Sequence, residues 1–504
     1  MDRIGVDKMR IIVLAAAILG QILFSGPRAA GAEENSVAQF KKTADGILNH
    51  LCLRNGNYGV KIYSLDKKEV LYQVNSDRPL VPASNMKLIT TAAALKELGP
   101  DYRFVTQLYS PGKIEGTTLK GDLYIKGFGD PKLVSEQMWH LVNGFRNLPV
   151  RKVEGSIVAD NSFFDDELRI KTWKKNFGAQ PYNAPIGALS FNFNTVAVYV
   201  NPGARPGEKP VVVVDPDTDY IRVKNGAVTV ASNRNNHRLM VNRLEGEGFD
   251  EVTLSGGVPM NGARSRFFLN ISDPTLYTVK VLRELLVRNG IEVTGEARKG
   301  AMPNDAGLLL THESEPLSEI LGGLNKYSNN FIAEQIVKTI GAERFDPPGT
   351  TANGIKAMEE FMQSLGYAPD QFRILDGSGL SRQNRISADQ FVRVLEVVYD
   401  DWSVYPEFIS ALGVMGLDGS VKKRMKGVND AQRARVKTGT LNFTSAVSGY
   451  FQSRRGERFA FSIIMNDLKC SIGQAVNLQD KIIHEGLKFE RENLDSLREA
   501  RIRR

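Results

Sequence analysis

The sequence has few of the residues on which metal-dependent hydrolases rely. Only five histidines occur in 504 residues, and none lies in a His-x-x-x-His, His-Glu-x-x-His or mixed Cys/His cluster. Because a catalytic zinc needs about three such ligands, we do not expect a metallo-peptidase. A Gly-x-Ser-x-Gly sequence and a Walker loop are also missing, which argues against an α/β-hydrolase and a P-loop enzyme.

Long apolar runs are equally scarce. Residues 11–24 are largely apolar, but this run is too short to span a bilayer comfortably. Basic residues precede it, and the small residues Ala30-Gly31-Ala32 follow it. Residues 1–32 therefore predict a secretory signal peptide cut after Ala32, with an uncleaved anchor as the alternative. We expect an exported protein of the periplasm or another extracytoplasmic cell-wall space.

The chain has no dense block of one charge and only two cysteines. The predicted signal peptide holds four basic and two acidic residues, so its removal lowers the net charge from +8 to +6. This mild excess fits a loose association with the cell wall or a membrane surface, whereas nucleic acid is not an expected partner. Export permits a disulfide between Cys52 and Cys470, but two buried thiols remain the alternative.

The two ends of the chain resemble each other more than they resemble the middle. Residues 58–65 and 69–74 predict a β-hairpin, and residues 446–452 and 459–466 predict a terminal strand pair followed by a helix. Between about residues 102 and 303, short strands and Gly, Pro, Asn and Asp turns predominate. The simplest architecture is one domain built from both ends and interrupted by β-rich material. If residues 58–65 pair antiparallel with 459–466, Cys52 and Cys470 emerge at the same end.

One Ser-x-x-Lys sequence stands in a context suited to nucleophilic catalysis. Ser84 and Lys87 open a predicted apolar helix, residues 84–98, and residues three apart share a helix face. A buried lysine can lose its proton near neutral pH and serve as the base for such a serine. The alternative is that Ser84 only caps the helix and Lys87 is a surface charge. Three further copies lie in turns or a Gly-Asp-rich stretch and begin at Ser64, Ser110 and Ser420.

Two further motifs follow in chain order. Ser328-Asn329-Asn330 lies between two predicted helices, although a second Ser-x-Asn occurs at Ser190. Lys437-Thr438-Gly439 is the only Lys-Thr-Gly in the chain and lies just before the terminal strand pair, where it can form an edge strand. Together with Ser84 and Lys87, these motifs match the set found in penicillin-binding proteins and serine β-lactamases.

The long interval between Ser84 and Ser328 resembles one branch of that group. It is similar to the three-domain D-alanyl-D-alanine carboxypeptidase/endopeptidase family, the low-molecular-mass class C penicillin-binding proteins. Three other stretches support this resemblance: Gly127-Phe128-Gly129-Asp130-Pro131, Tyr182-Asn183-Ala184-Pro185-Ile186, and Asp376-Gly377-Ser378-Gly379-Leu380-Ser381-Arg382. The implied fold class is α/β (α+β), with an antiparallel sheet and flanking helices in a penicillin-binding catalytic domain and two inserted β-rich domains.

The resemblance also implies a division of the chain. The catalytic domain would comprise residues 33–105 and 314–490. Domain II would comprise residues 106–195 and 300–313, domain III residues 196–299, and residues 491–504 would form a charged tail.

The resemblance implies a mechanism in which Ser84 attacks the carbonyl between two D-Ala residues, or at a D-centre cross-link, in peptidoglycan stem peptides. Lys87 takes the proton of Ser84. Ser328, helped by Lys437, relays a proton to the leaving amine, and Asn330 orients the substrate amide. β-Lactam antibiotics would acylate the same serine as covalent inhibitors. The resemblance implies no metal and no other cofactor.

The resemblance further implies a set of substrate-binding residues: Thr438, Gly439, Thr440, Leu441, Arg382 and Tyr182. Thr438, with Lys437, would bind the terminal carboxylate of the substrate. The backbone N–H groups of Ser84 and Thr440 would form the oxyanion hole. The last three residues of the set would shape the pocket for the stem-peptide side chain.

Two other functions are compatible with these motifs. A β-lactamase or esterase would use the same fold and serine, and it would turn over a chromogenic cephalosporin without releasing D-Ala. A non-catalytic wall-binding protein would bind sacculi without cleaving them. The long insertion argues against the first alternative, and the intact motif set argues against the second.

Overall fold

The structure, a computed structural model, describes residues 26–54, 56–173, 178–231 and 238–491. Residues 1–25 of the predicted signal peptide and residues 492–504 of the predicted tail lie outside the described residues. The first helix begins at Gly26 and runs through the predicted cleavage position after Ala32. Within the described ranges, each helix is too short or too polar to cross a membrane.

The described residues form alternating helices and strands, which we number in chain order. The helices are α1 (Gly26–Leu48), α2 (Met86–Glu97), α3 (Ser135–Arg146), α4 (Pro274–Arg288), α5 (Leu317–Lys326), α6 (Asn330–Phe345), α7 (Thr351–Ser364), α8 (Ala388–Asp400), α9 (Tyr405–Ala411) and α10 (Ile472–Lys488). The first strands are β1 (Asn57–Ser64), β2 (Glu69–Val74), β3 (Arg103–Ser110), β4 (Lys113–Glu115), β5 (Thr118–Lys120), β6 (Leu123–Gly127), β7 (Lys152–Glu154) and β8 (Ile157–Asp160). The next are β9 (Thr195–Asn201), β10 (Val211–Asp215), β11 (Ile221–Asn225), β12 (Val228–Val230), β13 (Met240–Glu245), β14 (Asp250–Ser255), β15 (Gly257–Pro259) and β16 (Ser265–Asn270). The last are β17 (Glu292–Val293), β18 (Ala297–Lys299), β19 (Gly307–Pro316), β20 (Gly413–Val414), β21 (Ala434–Leu441), β22 (Thr444–Gln452) and β23 (Arg458–Asn466).

A six-stranded antiparallel sheet joins the two ends of the chain, in the order β2-β1-β23-β22-β21-β20. β1 pairs with β23 along its whole length, from Asn57 opposite Asn466 to Ser64 opposite Phe459. This antiparallel pairing meets the condition under which Cys52 and Cys470 emerge at the same end of the strands. β20 covers only the start of β21, so residues 437–441 lie at a free edge of the sheet.

Helices cover both faces of this sheet. Alternate residues of a strand point to opposite faces, and on β23 Phe459 and Ile463 pack with α1 and α10. Ala460 and Ile464 point to the other face and pack with α2 and with helices α5 to α9. Since both faces are buried, β22 and β23 are buried and largely apolar along almost their whole length, and apolar residues do not simply alternate with polar ones.

The segment between α2 and α5 forms separate sheets around its own apolar core. The strand orders are β18-β8-β6-β3-β19, β17-β7-β5-β4, β10-β9-β16, β11-β14-β13 and β12-β15. Leu317 N–H donates to the carbonyl of Tyr102 at 2.8 Å, so the segment leaves and returns at one point beside α2. The six-stranded sheet is therefore not interrupted by the insertion.

The register of two short strands bears on the predicted domain division. β17 and β18 pair in parallel with β7 and β8, so residues 292–299, which the predicted division assigns to domain III, share sheets with residues that it assigns to domain II. In the sheet β18-β8-β6-β3-β19, β3 pairs with β19 as far as Arg103 opposite Pro316. This pairing extends beyond residues 106 and 313, the predicted limits of domain II. Strands of two or three residues carry no periodicity of their own, and pairing alone assigns them to a sheet.

Cys52 and Cys470 form a disulfide, with their Cα atoms 5.0 Å apart. Cys52 lies in a short 3-10 turn before β1, and Cys470 lies between β23 and α10. Because Asn57 is opposite Asn466, the two cysteines emerge at the same end of the strand pair. The structure thus decides in favour of the bridge.

We expect the double variant Cys52→Ser/Cys470→Ser to have a free energy of unfolding about 2–5 kcal/mol lower than that of the wild type. The bond closes a loop with a sequence separation of 418 residues, so its loss frees the unfolded chain. Urea denaturation without reductant measures the difference. Reductant should lower the midpoint of the wild type and leave that of the variant unchanged, and equal midpoints for both proteins would contradict the expectation.

Candidate active site

Ser84 lies in a 3-10 turn, Ala83–Asn85, that leads directly into α2. The predicted α-helix therefore begins two residues later than expected, at Met86. Ala83 is buried and has a φ of 47°, which is uncommon for a residue with a Cβ atom. Such a conformation persists only where the surrounding structure enforces it, and it often marks a functional site.

Lys87 is buried in the first turn of α2, and its amine lies 3.1 Å from the Ser84 hydroxyl oxygen. The amine also donates to the Asn330 side-chain carbonyl and to the Ser378 backbone carbonyl, each at 2.7 Å. Burial lowers the pKa of Lys87 to about 7, and the carboxylates of Glu334 and Asp376 partly oppose this shift. A substantial fraction of the amine is thus neutral near pH 7 and able to accept a proton.

Ser328 and Lys437 form a second pair. Ser328 lies between α5 and α6 with a φ of 57°, and Asn329 caps α6 by accepting from Ile332 N–H. Lys437, on β21, donates to the Ser328 hydroxyl at 2.9 Å and to the Thr438 carbonyl at 2.6 Å. Burial, reinforced by the charge of Lys87, lowers the pKa of Lys437. The site therefore resists holding two ammonium groups at once.

Gly439 allows β21 to approach the turn that carries Ser84. A Cβ atom at Gly439 would lie 2.8 Å from both the Pro82 carbonyl oxygen and the Ser84 backbone nitrogen. Real Cβ atoms do not approach backbone so closely, so any larger residue would push the strand away. The absence of a side chain brings the backbone N–H of Ser84 next to the strand that carries Thr440.

Ser84 and Ser328 line one cleft with a volume of ≈ 620 Å³. Its lining includes seven of the residues predicted from the sequence: Ser84, Ser328, Asn330, Thr440, Leu441, Arg382 and Tyr182. The Asn330 side-chain amide donates to the Tyr182 carbonyl at 3.0 Å, and Arg382 donates to the Asn442 carbonyl at 2.9 Å. Five further residues of the lining were not predicted as site residues: Thr172, Leu380, Gln383, Asn442 and Ile472.

Two buried carboxylates behind Lys87 were also missed as site residues. Glu334 accepts from the N–H groups of Gly377 and Ser378, at 3.1 and 2.8 Å, and so fixes the carbonyl to which Lys87 donates. Burial and the neighbouring Asp376 raise the pKa of Glu334 to about 7. Glu334 follows Asn330 by four residues on α6, a spacing that places both on one helix face and could have indicated it.

Asp376 organises the loop that faces Lys87. Its carboxylate accepts from the backbone N–H groups of Gly379 and Ser381, from the Asn384 amide and from the Trp173 indole, at 2.6–2.8 Å. The loop includes the stretch 376–382, which supports the family resemblance. The sequence of this stretch does not show that Trp173, from the inserted segment, donates to Asp376.

Comparison with known proteins places the chain in a family. Residues 41–484 match the model of the D-Ala-D-Ala carboxypeptidase 3 (S13) family. The chain is 32% identical over 477 residues to the D-alanyl-D-alanine carboxypeptidase of Actinomadura sp. strain R39, covering 92% of this chain and 87% of that protein. It is 24% identical over 424 residues to the D-alanyl-D-alanine carboxypeptidase DacB of Haemophilus influenzae, covering 81% and 85%.

A solved structure has the same fold. The crystal structure of penicillin binding protein 4 (dacB) from Haemophilus influenzae matches with a TM-score of 0.78 and 22% identity, covering 88% of this chain and 99% of that one. This match confirms the predicted fold class. Because the family model spans most of the sequence, the chain belongs to the D-Ala-D-Ala carboxypeptidase 3 (S13) family of serine-type peptidases.

Proposed function

We propose that this chain is a serine D,D-peptidase that acts on peptidoglycan stem peptides through an acyl-enzyme on Ser84. The observation that carries the proposal is the pairing of Ser84 with a buried Lys87 whose pKa is about 7, at the wall of the same cleft as Ser328. Family membership supports the reaction class.

In the first step, the Ser84 oxygen attacks the substrate carbonyl while its proton passes to the neutral amine of Lys87. The tetrahedral intermediate collapses to a Ser84 ester, and the bond to the leaving amine breaks. The Ser328 hydroxyl, to which Lys437 donates, passes its proton to that amine and takes up the proton that Lys87 accepted from Ser84, so that Lys87 is neutral again. Water then attacks the ester, restores the Ser84 hydroxyl and releases the shortened peptide.

The remaining predicted residues bind and orient the substrate in this proposal. The backbone N–H groups of Ser84 and Thr440 stabilise the oxyanion, and loss of one such donor typically lowers the rate by about 10²–10³-fold. Asn330 orients the substrate amide, and Thr438 with Lys437 binds the terminal carboxylate. Arg382, Tyr182 and Leu441 border the stem-peptide side chain, and Gly439 lets β21 approach the turn that carries Ser84.

The proposal includes β-lactams as covalent inhibitors that acylate Ser84. A further structure of the Haemophilus influenzae protein, with a TM-score of 0.73 to this chain, is complexed with a β-lactam. We also propose export, for which the signal-peptide pattern of residues 1–32 is the support. A loose association with the wall or a membrane surface is supported by the net charge of +6 that remains after removal of this segment. The three-domain division, with residues 292–299 placed in domain II, is part of the same proposal.

Digestion of purified sacculi tests the proposed reaction. We expect the purified protein to remove terminal D-Ala from pentapeptides, to cleave cross-linked dimers, or both, as measured by separation of the muropeptides. A β-lactam added in excess should prevent either change. Unchanged muropeptides together with fast turnover of a chromogenic cephalosporin would contradict the proposal and favour a β-lactamase.

A further inference from the structure

We propose that Ser420 completes a binding site for the carboxylate of the leaving group, together with Thr438. This inference rests on the proposed function and extends it to a residue outside the three motifs. Ser420 begins one of the Ser-x-x-Lys copies that the sequence context set aside. In the structure its hydroxyl oxygen lies 2.9 Å from that of Thr438.

The loop that carries Ser420 is built to hold it there. Asp418 accepts from Val414 N–H at 2.7 Å with one carboxylate oxygen and from the Lys326 amine at 2.8 Å with the other. Val414 lies in β20 and is opposite Arg435 of β21, two residues before Lys437. The loop therefore connects the end of α5, just before Ser328, to the strand that carries Thr438.

Close backbone packing keeps the loop in this position. Gly419 has a φ of 54°, and a Cβ atom there would lie 2.5 Å from the Lys326 carbonyl oxygen. Only glycine adopts this positive φ and tolerates this close approach of backbone without strain. The position of Ser420 is thus set by the same segment that positions Ser328.

The hydrogens of the two hydroxyls determine what the pair can bind. Each hydroxyl has one hydrogen, and the bond between Ser420 and Thr438 uses one of them. Whichever residue donates in that bond, one hydrogen remains for a ligand. Since Ser420 is exposed and Thr438 partly exposed, a ligand can reach that hydrogen.

A carboxylate is the ligand that such a pair favours. A hydroxyl hydrogen bond to an ionised acceptor is shorter and stronger than one to a neutral acceptor. The D-amino acid that leaves in a D,D-peptidase reaction carries a free carboxylate, both in terminal D-Ala and at a D-centre cross-link. Ser420 would bind this group directly or orient the Thr438 hydrogen towards it.

Two matched esters test the proposal, because they differ only in the leaving group. One is the acyl-D-Ala ester of glycolic acid, which has a carboxylate, and the other is the ester of glycolamide, which is neutral. We expect Ser420→Ala to lower kcat/KM for the glycolate ester by about 10- to 100-fold, as for loss of a hydrogen bond to a charged group. The value for the glycolamide ester should change less than about twofold, within the scatter of neutral surface substitutions.

Two controls separate binding from folding. Ser420→Thr keeps the hydroxyl at an exposed position and should retain most of the discrimination between the esters. Thermal unfolding of both variants should match that of the wild type.

The outcomes are distinguishable from failure of the proposed function. Equal loss on both esters, no loss on either, or a Thr variant that behaves like the Ala variant would overturn the role of Ser420. If the wild type cleaves neither ester and excess β-lactam does not label Ser84, the proposed function fails and this inference fails with it.

Discussion

Replacing Ser84 with alanine is expected to abolish labelling by a fluorescent penicillin and to lower the D,D-peptidase kcat by about 10⁴–10⁶-fold, as for other serine nucleophiles. The reason is geometric, because the Lys87 amine contacts one hydroxyl, one side-chain carbonyl and one backbone carbonyl among the described residues, and only the Ser84 hydroxyl can form an ester. Gel fluorescence after incubation with the penicillin measures the first effect, and release of D-Ala measures the second.

Ser110→Ala is the matched control for this experiment. Ser110 begins another Ser-x-x-Lys copy, but its hydroxyl donates to the Asp122 carbonyl in the inserted segment. We expect this variant to label like the wild type. Labelling that survived in Ser84→Ala would show that another residue is the nucleophile.

The second large effect concerns Lys87 and pH. Because only the neutral amine accepts the Ser84 proton, the acylation rate should fall tenfold for each pH unit well below about 7, the pKa of Lys87. Above pH 7 most of the amine is neutral, and the rate should reach a plateau. Lys87→Ala should lower the plateau rate by about 10²–10⁴-fold, the usual contribution of a positioned general base. Stopped-flow acylation by a reporter β-lactam across pH 5–9 measures both.

Two variants make the pH experiment decisive. Lys423→Ala removes the exposed lysine of another Ser-x-x-Lys copy and should leave the pH profile unchanged. Glu334→Gln removes a carboxylate whose charge raises the pKa of Lys87, so the acidic fall in rate should move to lower pH. The shift should be small, because the pKa of Glu334 is also about 7 and its carboxyl is largely neutral at lower pH. An unchanged fall in Lys87→Ala would show that a different group is the base.

Much of the fold could be predicted because its signals are local. The hairpin β1–β2 and the helices α2 and α4 follow from periodicity and turn residues. The assignment of β17 and β18 could not be predicted, because their register with β7 and β8 is a long-range property. The 3-10 turn at Ser84 was missed because the strained φ of Ala83 comes from packing and not from its own preference.

The residues of the candidate site also differ in whether a local pattern or a long-range contact identifies them. Ser84, Lys87, Ser328 and Lys437 belong to short motifs, so spacing together with local context singled them out, although their roles remain predictions. Glu334 belongs to no such motif, Asp376 lies in a stretch to which no role was assigned, and the Ser-x-x-Lys copy at Ser420 was set aside by its context. Each acts through a partner that is distant in sequence, such as Ser378, Trp173 or Thr438.

The nucleophile and base candidates, the order of the three motifs and an insertion after α2 could all be predicted from the sequence. Motif spacing and local context are enough for these, because they relate residues that are close together in the chain or in a fixed order along it. Three features follow only from folding: the bond between Cys52 and Cys470, the approach of β21 to the Ser84 backbone at Gly439, and the burial that lowers the pKa of Lys87 to about 7. Contact, exclusion of water and electrostatic environment depend on segments that meet only when the chain folds.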